Sequence, residues 1–263
     1  MDSLDPASPV AAVIDAAGEG KPRVWKFWGT AFWGFVVFAA MFAGQIAVVG
    51  FFLLRQGGPI NHETFGDAVR VVVSHGLTIS LSVITGLPAV LLALWVAIRI
   101  KGAGFADYLA LRAFAWRNLA IGVAALFVLV MGWDALSRAT GRDVEPGFMG
   151  DVLRSASEDG ALWLLIVSFC VAAPITEELF ARGFLYRGWS ASFLGPLGAI
   201  ILSSMVWTGL HLQYNWYFLG EVFSIGLLLG YIRYRSNSTW LTIILHGLNN
   251  LAAVVQTILL TGS

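Results

Sequence analysis

Charge is what this sequence has least of. Only 12% of its 263 residues are Asp, Glu, Lys or Arg, whereas soluble domains carry about 25%. Sixteen basic residues balance sixteen acidic ones, so no cationic excess points to nucleic acid. Cysteine is almost absent as well. The single Cys170 excludes an intramolecular disulfide and any cysteine-based zinc cluster. No internal repeat and no low-complexity block interrupt the chain. Near the start there is no apolar stretch of the signal-peptide kind, and residues 1–28 read as a disordered cytoplasmic tail.

What fills the space is hydrophobic: 58% of the chain, with eleven tryptophans and eighteen phenylalanines. Lipid is the solvent such a composition suits. A bilayer span needs about 20 mostly apolar residues. Candidates run over residues 29–54, 71–98 (with Pro88 as a kink), 118–136, 161–186, 197–213, 216–234 and 240–260. The expected fold is therefore all-α, a polytopic transmembrane bundle of about seven spans. Residues 107–114 read as an amphipathic interfacial segment, and residues 137–160 as an acidic loop. The arrangement divides the chain into the tail, N-terminal spans and loops over 29–160, and a motif-bearing core over 161–263.

Lysine and arginine set orientation. Lys21, Arg23 and Lys26 precede the first span and place the N-terminus in the cytoplasm. Alternation then puts Arg99, Lys101, Arg112, Arg117, Arg187, Arg233 and Arg235 on the same side, and the acidic 137–160 loop on the other. The expected address is an integral, multi-pass protein of the cell membrane.

The fourth span carries the chemistry. Its purely apolar part, 161–175, is too short to cross, and continuing it as helix draws Glu177, Glu178 and Arg182 into the bilayer. Each such group costs about 2.5–3.5 kcal/mol at a span's centre. His211 on the fifth span and His246 and Asn250 on the seventh join them. Glu178 and Arg182 stand four apart on one helix face and suit an ion pair. Glu177 is turned by about 100° from Glu178 and faces another neighbour. His246 and Asn250 are also four apart. Four chemistries fit this set. A carboxylate beside a histidine deprotonates water. Histidine and asparagine donate to an oxyanion. Two histidines and a glutamate bind zinc. Buried acids relay protons in transporters. The packing alternatives are a structural Glu178–Arg182 pair and asparagines that bond neighbouring helices. His75 reads as structural, and Gly226 and Gly230 as a small-residue pair that lets helices approach.

The segment Glu177-Glu178-Leu179-Phe180-Ala181-Arg182 resembles the EExxxR motif of the CPBP (Abi) intramembrane proteases, the family of the CAAX prenyl endopeptidases. Trp207 through His211 is similar to that family's FxxxH motif, with Trp in place of Phe. His246 through Asn250 resembles its HxxxN motif. The likeness covers about 161–260. It implies an intramembrane endopeptidase that acts on a membrane-associated peptide or lipidated, CAAX-like substrate. It implies that Glu177 is the base, that His211 holds the water, and that His246 and Asn250 stabilise the oxyanion. Glu178 and Arg182 would shape the site. No cofactor is favoured, because Asn250 suits an oxyanion hole better than a zinc shell. A metalloprotease-like site would use Glu177, His211 and His246 around a divalent metal such as zinc. The Trp207 departure bears on pocket shape. The rival readings are a non-catalytic membrane scaffold and a proton-coupled transporter.

Overall fold

The computed structural model describes residues 23–55, 64–142 and 147–261. Most of the expected tail, and the residues between 142 and 147 in the acidic loop, lie outside them. The described residues form ten helices and no strand. They are α1 (Phe27–Arg55), α2 (Phe65–Val73), α3 (Gly76–Ile100), α4 (Phe105–Tyr108), α5 (Trp116–Ala139), α6 (Gly147–Glu158), α7 (Leu162–Ser190), α8 (Gly195–Thr208), α9 (Trp216–Ser236) and α10 (Thr239–Thr261). Five of them, α1, α3, α5, α7 and α10, are long and apolar enough to cross a membrane. The protein is an all-α, polytopic, integral membrane protein.

Four sequence expectations change in detail. The 71–98 span is broken: Val71 to Val73 end α2, and α3 starts afresh at Gly76 after an extended His75. The break is locked by Gly76 N–H donating to Ser155 Oγ on α6. The spans expected over α8 and α9 are helical, yet neither meets the length and composition of a span. The 14 residues of α8 reach about 21 Å, short of the ~30 Å hydrocarbon core. The 21 residues of α9 include Glu221, Arg233 and Arg235. The expected interfacial segment is helical only over Phe105–Tyr108, and Tyr108, Leu109 and Ala110 are buried in the bundle. They are held there because the α9–α10 turn clasps this stretch. Ser238 Oγ donates to Arg112 O, and Thr239 N–H to Ala110 O. The acidic loop, too, contains a helix: α6 buries Val152, Leu153 and Ala156 against Leu165 and Val254.

The core lies where α7 passes between α1, α3, α8, α9 and α10. Leu179, Phe180, Phe184 and Leu185 of α7 pack with Val37 of α1 and Val90 and Leu94 of α3. Small residues allow the approach. A Cβ on Gly44 of α1 would lie 2.9 Å from the Gly86 Cα of α3. Outside the core the surface is apolar, with Trp28, Phe35, Phe127, Leu197 and Leu259 all at least two-thirds exposed except Phe127, which is nearly so. That face is the one a bilayer would cover.

Candidate active site

Helix α7 is wound in an unusual way. Two π-helical stretches, Ser168–Ala172 and Leu179–Leu185, flank the short α segment Ala173–Glu178 that carries both glutamates. In the first stretch Ala173 N–H reaches back five residues to Ser168 O. The next carbonyl, Phe169 O, would be offered Ala173 or Pro174 as a donor. Ala173 is engaged, and Pro174 has no N–H. The side chain of Asn250 on α10 fills the gap, donating from Nδ2 at 2.8 Å. Gly247, one turn before, lets α10 close on the same stretch. A Cβ there would stand 2.6 Å from Cys170 O. In the second stretch Tyr186 N–H reaches back to Ala181 O. Again the next carbonyl, Arg182 O, accepts a side chain from another helix, Arg233 Nε of α9 at 3.1 Å.

Between these two clamps sit the predicted site residues. Arg182 Nη1 donates to Glu178 Oε1 at 2.6 Å, and both side chains are wholly buried. Arg182 Nη2 donates to Gly226 O on α9 at 3.0 Å. Glu178 Oε1 is also 3.1 Å from His246 Nδ1. A carboxylate paired with arginine is an acceptor, so Nδ1 bears the proton here and Nε2 faces the other way. His211 is oriented by the same logic. Its Nδ1 lies 3.1 Å from Trp207 O, which only accepts, so the neutral ring presents an Nε2 lone pair. That contact also satisfies a carbonyl at the C-terminal end of α8, where helix partners run out. Both Nε2 atoms point toward Glu177: Oε2 is 4.0 Å from His211 Nε2 and 4.0 Å from His246 Nε2.

Exposure divides this group in two. Glu178, Arg182 and His246 are sealed, at 0%, 0% and 3%, while the Glu177 and His211 side chains keep 17% and 18%. The cluster is therefore open on the Glu177–His211 side, where the 209–211 turn and Tyr214 stand; the Tyr214 ring stacks on His211 at 6.3 Å. The structure thus brings Glu177, Glu178, Arg182, His211 and His246 together. It ties the Asn250 amide to Phe169 O, which uses one of its two N–H bonds.

Glu177 takes a partner that the motif spacing did not announce. Trp207 Nε1 donates to its Oε2 at 2.5 Å. The Trp207 ring also underlies the Arg182 guanidinium at 4.5 Å and meets both imidazoles edge-on. The signal was the Trp at the Phe position, which bulk alone does not account for. Gly226 belongs to the site as well. Its carbonyl accepts from Arg182, and a Cβ there would crowd Trp207 at 3.1 Å.

A zinc ion would set the spacing of its donors. Two ligands about 2.05 Å from a tetrahedral ion are about 3.3 Å apart. The 4.0 Å separations from Glu177 are wider, and Oε2 already holds the indole N–H. Among the described residues no group of three His, Cys, Asp or Glu could hold a metal ion. The residues do not fit a zinc site as they stand.

Against known proteins, residues 159–252 match the family described as type II CAAX prenyl endopeptidase Rce1-like. This stretch is similar to that family. The matched stretch contains all six predicted site residues and the Trp207 donor. The chain is also 31% identical, over 127 residues, to an uncharacterized 24.3 kDa protein of Escherichia coli. That alignment covers 47% of this chain and 57% of the relative, so the chain spans little more than half of the curated relative's length. No solved structure matches.

Proposed function

We propose that the protein is an intramembrane endopeptidase that hydrolyses a peptide bond in a membrane-associated or lipidated, CAAX-like substrate. The observation that carries this reading is the placement of Glu177. Its Oε2 is too far from either histidine for a direct hydrogen bond. Two polar atoms about 4–5 Å apart are, however, bridged by one water at ordinary bond lengths of ~2.8 Å. Glu177 takes a proton from that water as its oxygen attacks the substrate carbonyl carbon. The His211 lone pair accepts the second water hydrogen and aligns the attack. When doubly protonated, His246 donates from Nε2 to the oxyanion, with its charge balanced by Glu178 at Nδ1. The free N–H of Asn250 is a second donor to the oxyanion. As the tetrahedral carbon collapses, the proton on Glu177 passes to the leaving nitrogen and the C–N bond breaks. Glu178 and Arg182 hold the site's shape. The route uses no metal.

The bilayer core supplies no water, so a hydrolase within it must enclose its own. The half-open Glu177–His211 side against the sealed Glu178–Arg182 side suits that need. The proposed orientation places the N-terminus in the cytoplasm and the protein in the cell membrane, with residues 161–263 as the catalytic core and 29–160 as supporting spans. The test compares protein termini in membranes bearing wild type or Glu177→Gln. Loss of a general base lowers the rate by about 10²–10⁴-fold. New termini only with wild type establish proteolysis and name the substrate. Matching termini at equal abundance of both proteins would leave a non-catalytic scaffold as the better reading.

A further inference from the structure

We infer that Trp207 is a positioning residue for the attacking carboxylate, an inference that rests on the endopeptidase reading of this site. The indole N–H donates to Glu177 Oε2 at 2.5 Å. That oxygen is the one facing both histidines. A hydrogen bond to an ionised acceptor is short, directional and roughly twice as strong as a neutral one. It therefore fixes the rotation of the Glu177 carboxyl group about its last bond, which side-chain packing alone leaves free.

The donor is itself immobile. Trp207 is 3% exposed. The Arg182 guanidinium lies over its face at 4.5 Å. The His211 ring meets it at 4.8 Å and 62°, and the His246 ring at 5.3 Å and 88°. On the remaining side Gly226 leaves room that any Cβ would take, 3.1 Å from Cε3. One side chain thus touches the base, both histidines and the buried arginine. Phenylalanine, the residue of the motif this segment resembles, fills much of the same space and has no N–H. The hydrogen bond is therefore particular to a tryptophan here. Without it, the carboxylate swings toward the two Nε2 atoms and occupies the space that the attacking water needs. Misplacement of a reacting group by about 1 Å costs on the order of 100-fold in rate. The loss falls on kcat, because Trp207 reaches the base and not the substrate.

The experiment replaces Trp207 with benzothienylalanine, in which sulfur takes the place of N–H and the bicyclic shape is kept. Trp207→Phe serves as a second variant. Turnover is measured on the substrate named by the termini comparison. The Glu177 carboxylate stretch is read as the infrared difference between each protein and its Glu177→Gln counterpart. We expect kcat to fall about 10- to 100-fold with KM within twofold, and the carboxylate band to shift, in both variants at an unchanged melting temperature. A band that stays in place overturns the inference, because the hydrogen bond then does not hold the carboxylate. A band that shifts while kcat is kept also overturns it, leaving Trp207 a packing residue. A shifted band in a protein whose wild type cleaves nothing defeats the endopeptidase reading and the positioning role with it, while the Trp207–Glu177 bond stands.

Discussion

Helices α1 and α7 are each 29 residues long and each long and apolar enough to span a bilayer, yet they live in different solvents. In α1 only 11% of the most apolar window is buried; in α7 the figure is 50%. Helix α1 buries Thr30, Gly34 and Val37 along one narrow line and turns Trp28, Phe32, Phe35 and Ile46 outward. Helix α7 buries every residue from Glu178 to Tyr186, including two full charges. Hydropathy sees two spans. Burial separates an anchor in lipid from a core element whose surroundings are protein, and only the second can hold a glutamate and an arginine at low cost.

The sharpest way to break this distinction is to strand a charge in α7. Arg182→Met leaves the Glu178 carboxylate buried without its cationic partner, and should lower stability by about 3–5 kcal/mol, read from unfolding in detergent micelles. Adding Glu178→Leu to it should restore most of that stability and none of the cleavage. A single variant as stable as wild type would erase the contrast. Next in size is the clamp between α10 and α7. Asn250→Ala orphans Phe169 O and should cost about 1–3 kcal/mol, with faster amide exchange over residues 168–173. No change in exchange would mean that the π-helical stretch holds without α10. The smallest effect belongs to α1. Phe35→Leu, at a side chain 70% exposed, should stay within about 0.5 kcal/mol of wild type. A large loss there would place α1 against protein and not lipid.

Much of this was legible beforehand, and the reasons are physical. Runs of about 20 apolar residues marked α1, α3, α5 and α10, because the bilayer imposes a length on whatever crosses it, and α7 reached that length once its shorter apolar run was continued through Glu177, Glu178 and Arg182. The four-residue spacing of Glu178 and Arg182 foretold their pair, and two lone histidines within apolar segments pointed to the cluster around Glu177. Three features stayed hidden. Val71 to Val73 continue the apolar pattern, so nothing local announced the break at His75, which is made by Ser155 on α6. The burial of Leu109 and Ala110 depends on Ser238 and Thr239, more than a hundred residues away. The Trp207 departure bears on pocket shape in the sequence, and its use as a donor stays hidden, because spacing ranks side chains by size and face and does not show where an indole N–H is aimed.

The two π-helical stretches of α7 carry a consequence for how this chain tolerates change in length. Each winds the chain more widely than an α-helix does, and each leaves a carbonyl that a distant helix occupies: Phe169 O by Asn250 and Arg182 O by Arg233. Removing one residue from Leu179–Leu185 would let the segment relax into ordinary helix. Six residues of α-helix sweep nearly the same angle as seven of the wider winding, so Tyr186 and Arg187 would keep their faces, whereas a deletion within the α segment Ala173–Glu178 would turn everything beyond it by about 100° about the axis. The phase of α7 is therefore a hereditary constraint separate from its composition. Substitutions that keep the spacing can be absorbed one at a time, and a single deletion can be absorbed in the wide turns, whereas an insertion or deletion within Ala173–Glu178 has no conservative form.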